Sequence, residues 1–158
     1  MEEKRSPFTK RLGIAATVVS LTGGSIALWN QLKPEEEVPD LSGRWTITNT
    51  VTASNGGKFD GEVYVYSVGV TQDERQRLSG TGEQVLYNGK PASSRFPIAF
   101  TDDKHTGGTV SVNFTVKGNR EFTGTLWLAP EDDDPHRLTG TFEYTAAGTT
   151  GTTEVLIK

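Results

Sequence analysis

From Gly43 onward the chain alternates. Val110, Val112, Phe114 and Val116 fall on one side of a period-two pattern, and Ser111, Asn113, Thr115 and Lys117 on the other. Successive side chains of a strand point to opposite faces, so the alternation predicts a strand with one dry and one wet face. Leu138, Gly140, Phe142 and Tyr144 set against Thr139, Thr141, Glu143 and Thr145 repeat it. Turn residues interrupt the pattern at intervals and delimit eight strands, at 43–52, 62–72, 76–87, 94–101, 109–117, 121–129, 137–146 and 152–158. Asn88-Gly89 marks a hairpin, because both residues tolerate positive φ. No helical period of useful length occurs in this part of the chain. Short turns between consecutive strands predict a meander. Eight strands with apolar inner faces close into an all-β, antiparallel up-and-down barrel and so remove their edges.

The first 33 residues follow a different pattern. Leu12–Trp29 is a run of 18 residues without a charge. At 1.5 Å per residue it gives about 27 Å of helix, close to the hydrocarbon thickness of a bilayer. A membrane anchor is the favoured reading. A signal peptide cut after Ser25-Ile-Ala27 and a helix of a soluble core are the alternatives. Lys4, Arg5, Lys10 and Arg11 precede the run, and Glu35-Glu36-Glu37 follow it. The positive-inside rule then places the N-terminus in the cytoplasm and the barrel on the periplasmic or extracellular side of an inner (plasma) membrane. Ala16, Ser20 and Gly24 lie four apart on one helical face, a small-residue seam through which two copies can associate. The expected organisation is a basic tail at 1–11, a transmembrane helix at 12–32, an acidic Pro-containing linker at 33–40 and a barrel at 41–158.

Charge follows the same division. Residues 1–33 carry five basic and two acidic side chains, and residues 34–158 carry 11 basic and 18 acidic. An acidic domain lacks the clustered Lys and Arg that a nucleic-acid polymer requires. The chain has no cysteine, which excludes disulfides, thiolate metal sites and cysteine nucleophiles.

A short beat recurs in Leu41-Ser-Gly-Arg, Leu78-Ser-Gly-Thr, Phe122-Thr-Gly-Thr and Leu138-Thr-Gly-Thr. In each, the large residue and the glycine two positions on share a face, and glycine there leaves room for bulky neighbours and for bending. Leu41-Ser42-Gly43-Arg44-Trp45 resembles the Gly-x-Trp opening of lipocalins and of the wider calycin group, which includes avidins and fatty-acid-binding proteins. Glu121-Phe-Thr-Gly-Thr125 has an avidin-like look. The resemblance implies a lipocalin-like cup over 41–158, with Gly43 and Trp45 closing one end. Arg137 and Lys158 are the candidates for the basic residue that caps the tryptophan in lipocalins. No ligand carries over, because only Trp45 and Trp127 lie in the domain and an avidin-like biotin site uses several tryptophans.

Catalytic signals are thin. His105 beside Asp102-Asp103 and His136 beside Asp132-Asp-Asp134 read as solvated hairpin tips rather than metal corners, since neither loop has the ligand spacing of an oxygen-rich site. There is no nucleophile elbow and no phosphate or dinucleotide loop. No catalytic residue, metal or cofactor is expected. Candidate ligand contacts are Tyr64, Tyr66, Tyr87, Trp127 and Tyr144, aromatic bodies with polar tips, and Arg44 and Arg95 where they face inward. The second strand presents Tyr64 and Tyr66 on one face and Val63 and Val65 on the other, and the alternation alone does not choose between them.

The reading that follows is a single-pass, bilayer-anchored barrel that binds or senses a small or amphipathic ligand, or a partner protein, without catalysis. Homo-oligomerisation would run through the helix seam. A second reading resembles, in layout only, bacterial antiphage effectors in which a membrane-anchored barrel senses a cyclic oligonucleotide. Against it stand the single span, which puts the barrel outside, and the acidic domain. A third reading is a structural adaptor with a filled barrel.

Overall fold

The computed structural model describes residues 39–106, 108–145 and 148–158, with the backbone alone at 102 and 104–106. The expected span, its Ala16/Ser20/Gly24 seam and most of the linker lie outside the described residues. Among the described residues no helix is long and apolar enough to cross a membrane.

The strands are β1 (Gly43–Ala53), β2 (Val63–Gln72), β3 (Leu78–Tyr87), β4 (Lys90–Pro91), β5 (Pro97–Thr106), β6 (Thr109–Lys117), β7 (Glu121–Glu131), β8 (Asp134–Tyr144) and β9 (Thr149–Ile157). Eight of them pair antiparallel in a ring. The sheet runs β2, β1, β9, β8, β7, β6, β5, β3, and a β2–β3 pairing closes it. The two-residue β4 is an appendage on β3. The domain is thus a closed barrel of eight antiparallel strands, as the alternation predicts.

Most strand boundaries shift by one to three residues from expectation, and three differences have a clear cause. β5 continues to Thr106 where a turn is expected after Thr101, because a bulge between Phe100 and Asp102 lets the polar stretch go on pairing with β6 as far as Thr106↔Thr109. β8 starts at Asp134, because Glu131 pairs with Asp134 and leaves only Asp132-Asp133 as the turn. β4 arises from the Asn88-Gly89 turn, where both residues have positive φ and Lys90 folds back on Tyr87.

Inner faces follow the alternation. Val112, Phe114, Leu126, Leu128, Leu138 and Phe142 are fully buried, each such side chain contributing about 1.5–3 kcal/mol relative to exposure. On β2 the open choice resolves toward tyrosine: Tyr66, Val68 and Val70 are buried. The glycine beat acts as expected at Gly124, where an added Cβ would lie 2.6 Å from Phe114 Cζ.

The two ends of the barrel are built differently. At one end Trp45 is fully buried and packs edge-on to Phe100, with ring centroids 5.6 Å apart. Its indole N–H donates to the carbonyl of Leu41 at 2.8 Å, and Leu41 is itself buried. Arg137, one candidate cap for that tryptophan, instead directs its guanidinium to Glu154 and Glu131 at the barrel surface. Gly43 lets the chain pass: its φ is +143°, and a Cβ there would lie 2.8 Å from the Lys158 carbonyl oxygen. Arg44 and Lys158 exchange both backbone hydrogen bonds at 3.0 Å. This end is packed shut.

Candidate functional site: an aromatic cavity at the open end

The opposite end holds a cavity of about 210 Å³. Its position follows from strand polarity. The ends of β1, β3, β6 and β8 and the starts of β2, β5, β7 and β9 lie on this side, and Phe59 of the β1–β2 loop and Phe96 before β5 reach into its wall. Phe59, Phe96, Phe122, Val116 and Tyr64 supply apolar walls, and Tyr66, Gln84, Tyr144 and Thr149 supply polar groups.

Hydrogen bonds hold Phe59, Phe96 and Gln84 in place. Phe59 stands on the β1–β2 loop, where its N–H donates to Ser54 Oγ at 3.0 Å and Ser54 Oγ donates to Asp60 Oδ1 at 2.7 Å. The loop is pinned to the sheet by Val51 N–H to Glu62 O and Gly61 N–H to Val51 O, both 2.9 Å. Phe96 is held by its carbonyl, which accepts from the Gln84 N–H at 2.9 Å just before β5 begins. Gln84 is buried, and its side-chain amide donates to the Leu86 carbonyl at 3.3 Å.

The polar core of the site is a tyrosine pair. The hydroxyls of Tyr66 and Tyr144, from β2 and β8, share a hydrogen bond of 2.8 Å. Asn49, buried on the inner face of β1, donates its amide to the Tyr144 hydroxyl. The Tyr144 ring packs edge-on against Phe114 and Phe142, with centroids 5.4 and 5.3 Å apart. Burial is the main force that pushes both phenols above their usual pKa. Bonds from Tyr66 and Asn49 pull Tyr144 partly back. Both are neutral at physiological pH.

The two phenols carry two hydroxyl protons and share one bond, and both line the cavity. A phenolic hydroxyl can therefore turn toward an acceptor brought by a bound molecule. Among the described residues two buried side-chain oxygens, Asn49 Oδ1 and Thr153 Oγ1, on cross-strand partners of β1 and β9, have no hydrogen-bond partner. A buried polar group left unpaired costs about 1–3 kcal/mol.

The mouth carries a second polar cluster. Tyr64 and Tyr87 are cross-strand partners with ring centroids 5.3 Å apart. The Tyr64 hydroxyl donates to one oxygen of Glu62, and the Tyr87 hydroxyl donates to the other at 2.5 Å. Burial first and then the Glu62 bond raise the Tyr64 pKa; for Tyr87 the Glu62 bond is the larger cause.

No family model, curated protein or solved structure matches this chain. The site therefore rests on its own geometry.

That geometry separates the sequence candidates. Tyr64, Tyr66 and Tyr144 line the cavity, and Tyr87 stands beside Tyr64 at its mouth. Trp127 is on the outer face, 40% exposed, between Ser111 and Thr141 in the register. Arg44 is exposed beside Gly69 on the closed end, and Arg95 is exposed and paired with Glu83 at 2.7 Å. None of these three lines the cavity. Asn49, Glu62, Gln84, Phe59, Phe96 and Thr149 are additions. Asn49 and Gln84 were accessible in principle, since each continues an inward alternation (Trp45, Ile47, Asn49; Leu78, Gly80, Gln84). Among the described residues no three His, Asp or Glu side chains form a metal-binding group.

Proposed function

We propose that the barrel is a non-catalytic binding module for a small, largely apolar molecule carrying a hydrogen-bond acceptor, held at a membrane by Leu12–Trp29. The observation that carries this is the cavity of about 210 Å³ with aromatic walls and a phenolic donor pair. Drug-sized ligands occupy pockets of about 300–1,000 Å³, and a cavity of about 150 Å³ suffices for benzene. The match is a molecule built on a single ring or a short branched chain.

Two further points support binding over its rivals. An adaptor with a filled interior has no use for a cavity lined by hydroxyls. Among the described residues no Arg or Lys lines the cavity, which weighs against a polyanionic cyclic oligonucleotide, a ligand that needs cationic partners. Catalysis finds no support in the tyrosines. Their raised pKa values move them further from the neutral range in which a general acid–base works.

The test is a comparison of acetophenone with ethylbenzene on the full chain, by ligand-detected NMR. The two have similar shape, and only acetophenone carries an acceptor. Acetophenone is expected to bind about 2–10-fold more tightly, the worth of one neutral hydrogen bond. Absence of binding by both probes would overturn the reading.

A further inference from the structure

Glu62 is the least explained charge at the open end. It is half-buried one residue before β2, and each of its oxygens already accepts a tyrosine hydroxyl. Among the described residues it forms no ion pair. Neutral phenols fix the carboxylate in place without cancelling its charge. Two hydroxyl donors leave a carboxylate with spare acceptor capacity, since it offers about four lone-pair positions.

The surroundings are aromatic. Tyr64 is both a cavity wall and a Glu62 partner, Tyr87 lies against Tyr64, and Phe59 completes the same side of the mouth. Ring faces carry negative potential and attract cations, most strongly where water is partly excluded. The chain itself gives an instance: the Lys58 ammonium lies 5.3 Å from the centroid of the Phe59 ring. A fixed carboxylate beside ring faces suits a weakly hydrated organic ammonium better than a compact metal ion, because rings supply no lone pairs for coordination.

We infer that the mouth of the cavity selects an organic cation, an ammonium or quaternary ammonium group held by Glu62 and the faces of Tyr64 and Tyr87, with the apolar part of the same molecule in the cavity. This deepens the binding function proposed above and rests on it. The ligand class becomes an amphipathic amine: ring or branched chain inward, cation outward. The fixed carboxylate gives the mouth a polarity that a purely apolar cup would lack, and the acidic excess of residues 34–158 adds attraction at longer range.

The experiment titrates the full chain and its Glu62→Gln variant with phenyltrimethylammonium and with tert-butylbenzene. These probes share shape and differ in charge. Wild type is expected to hold the cation about tenfold more tightly or better, and Glu62→Gln to bring the ratio below about threefold. The ratio between the two probes within each protein, rather than either affinity alone, reports the role of Glu62, because a change of cavity shape acts on both probes alike. Equal affinities in wild type would overturn the cation inference and leave the cavity standing. A preference that survives Glu62→Gln would overturn the role of Glu62. Failure of both probes to bind wild type would remove the cavity reading, and this inference with it.

Discussion

The hydroxyl oxygens of Tyr66 and Tyr144 meet at 2.8 Å inside the barrel, although 78 residues separate them in sequence. Their bond ties β2 to β8 across the interior, in addition to the ladder that joins neighbouring strands around the wall. It also sets an asymmetry. Among the described residues Tyr144 serves both Tyr66 and Asn49, whereas Tyr66 serves Tyr144 alone.

Tyr144→Phe should therefore cost more stability than Tyr66→Phe. The former strands two polar groups and the latter one, at about 1–3 kcal/mol for each buried group left unpaired. The double variant should cost less than the sum, because both changes remove the same bond. Urea unfolding of the three variants measures this. Strict additivity would contradict the shared network.

Stability should fall in alkali. The folded pKa values of Tyr66 and Tyr144 lie above the ordinary phenol value of about 10. Above that value the unfolded chain releases phenolic protons that the folded chain retains, so unfolding is favoured as pH rises. The contribution is fully present below about pH 10 and is lost as pH climbs toward the folded values. Tyrosinate absorbance and far-UV dichroism should change together. All four tyrosines ionising near pH 10 with the dichroism intact would contradict the burial.

Gly43→Ala should destabilise the closed end. The position combines φ of +143° with a 2.8 Å approach to the Lys158 carbonyl, and backbone strain of this kind costs about 1–3 kcal/mol. A thermal melt lowered by several degrees is expected. An unchanged melt would mean that the Arg44–Lys158 closure gives way easily.

Val116→Phe should fill the cavity. Val116 is buried and lines it. Acetophenone binding should drop at least about tenfold with the melting temperature held or raised, since added atoms occupy space already present. Retained binding would place the ligand elsewhere.

Much of this architecture is written in the alternation. The faces of β6 and β8 follow directly from Val110–Val116 and Leu138–Tyr144, because a closed ring forces one face of every strand inward. The same parity places Trp127 outside: Gly124, Leu126 and Leu128 face the core, and an odd-numbered neighbour cannot. Its aromatic character was a weaker guide than its position. Asn49 and Gln84 are legible by the same count, as polar residues on inward tracks. Glu62 is not. It sits before the first β2 residue, and its pairing with two tyrosines depends on how the β1–β2 loop folds over the mouth. The inward turn of Tyr64 and Tyr66 is likewise set by the ring, since valine and tyrosine fit either face equally well in a lone strand. The run of acids and the histidine at 102–105 read locally as a turn, yet the bulge after Phe100 lets them remain in the sheet.

The reciprocal bonds between Arg44 and Lys158 make the first and last staves of the barrel neighbours, and a ring of staves has no intrinsic first member. A barrel rejoined across that pair by a short linker, and opened instead at the exposed Asn88-Gly89 turn, would wind the same strands in rotated order around the same interior. Circular permutation of this kind succeeds at exposed turns between closely spaced ends. The order of the strands along the chain is therefore separable from the cup that they form.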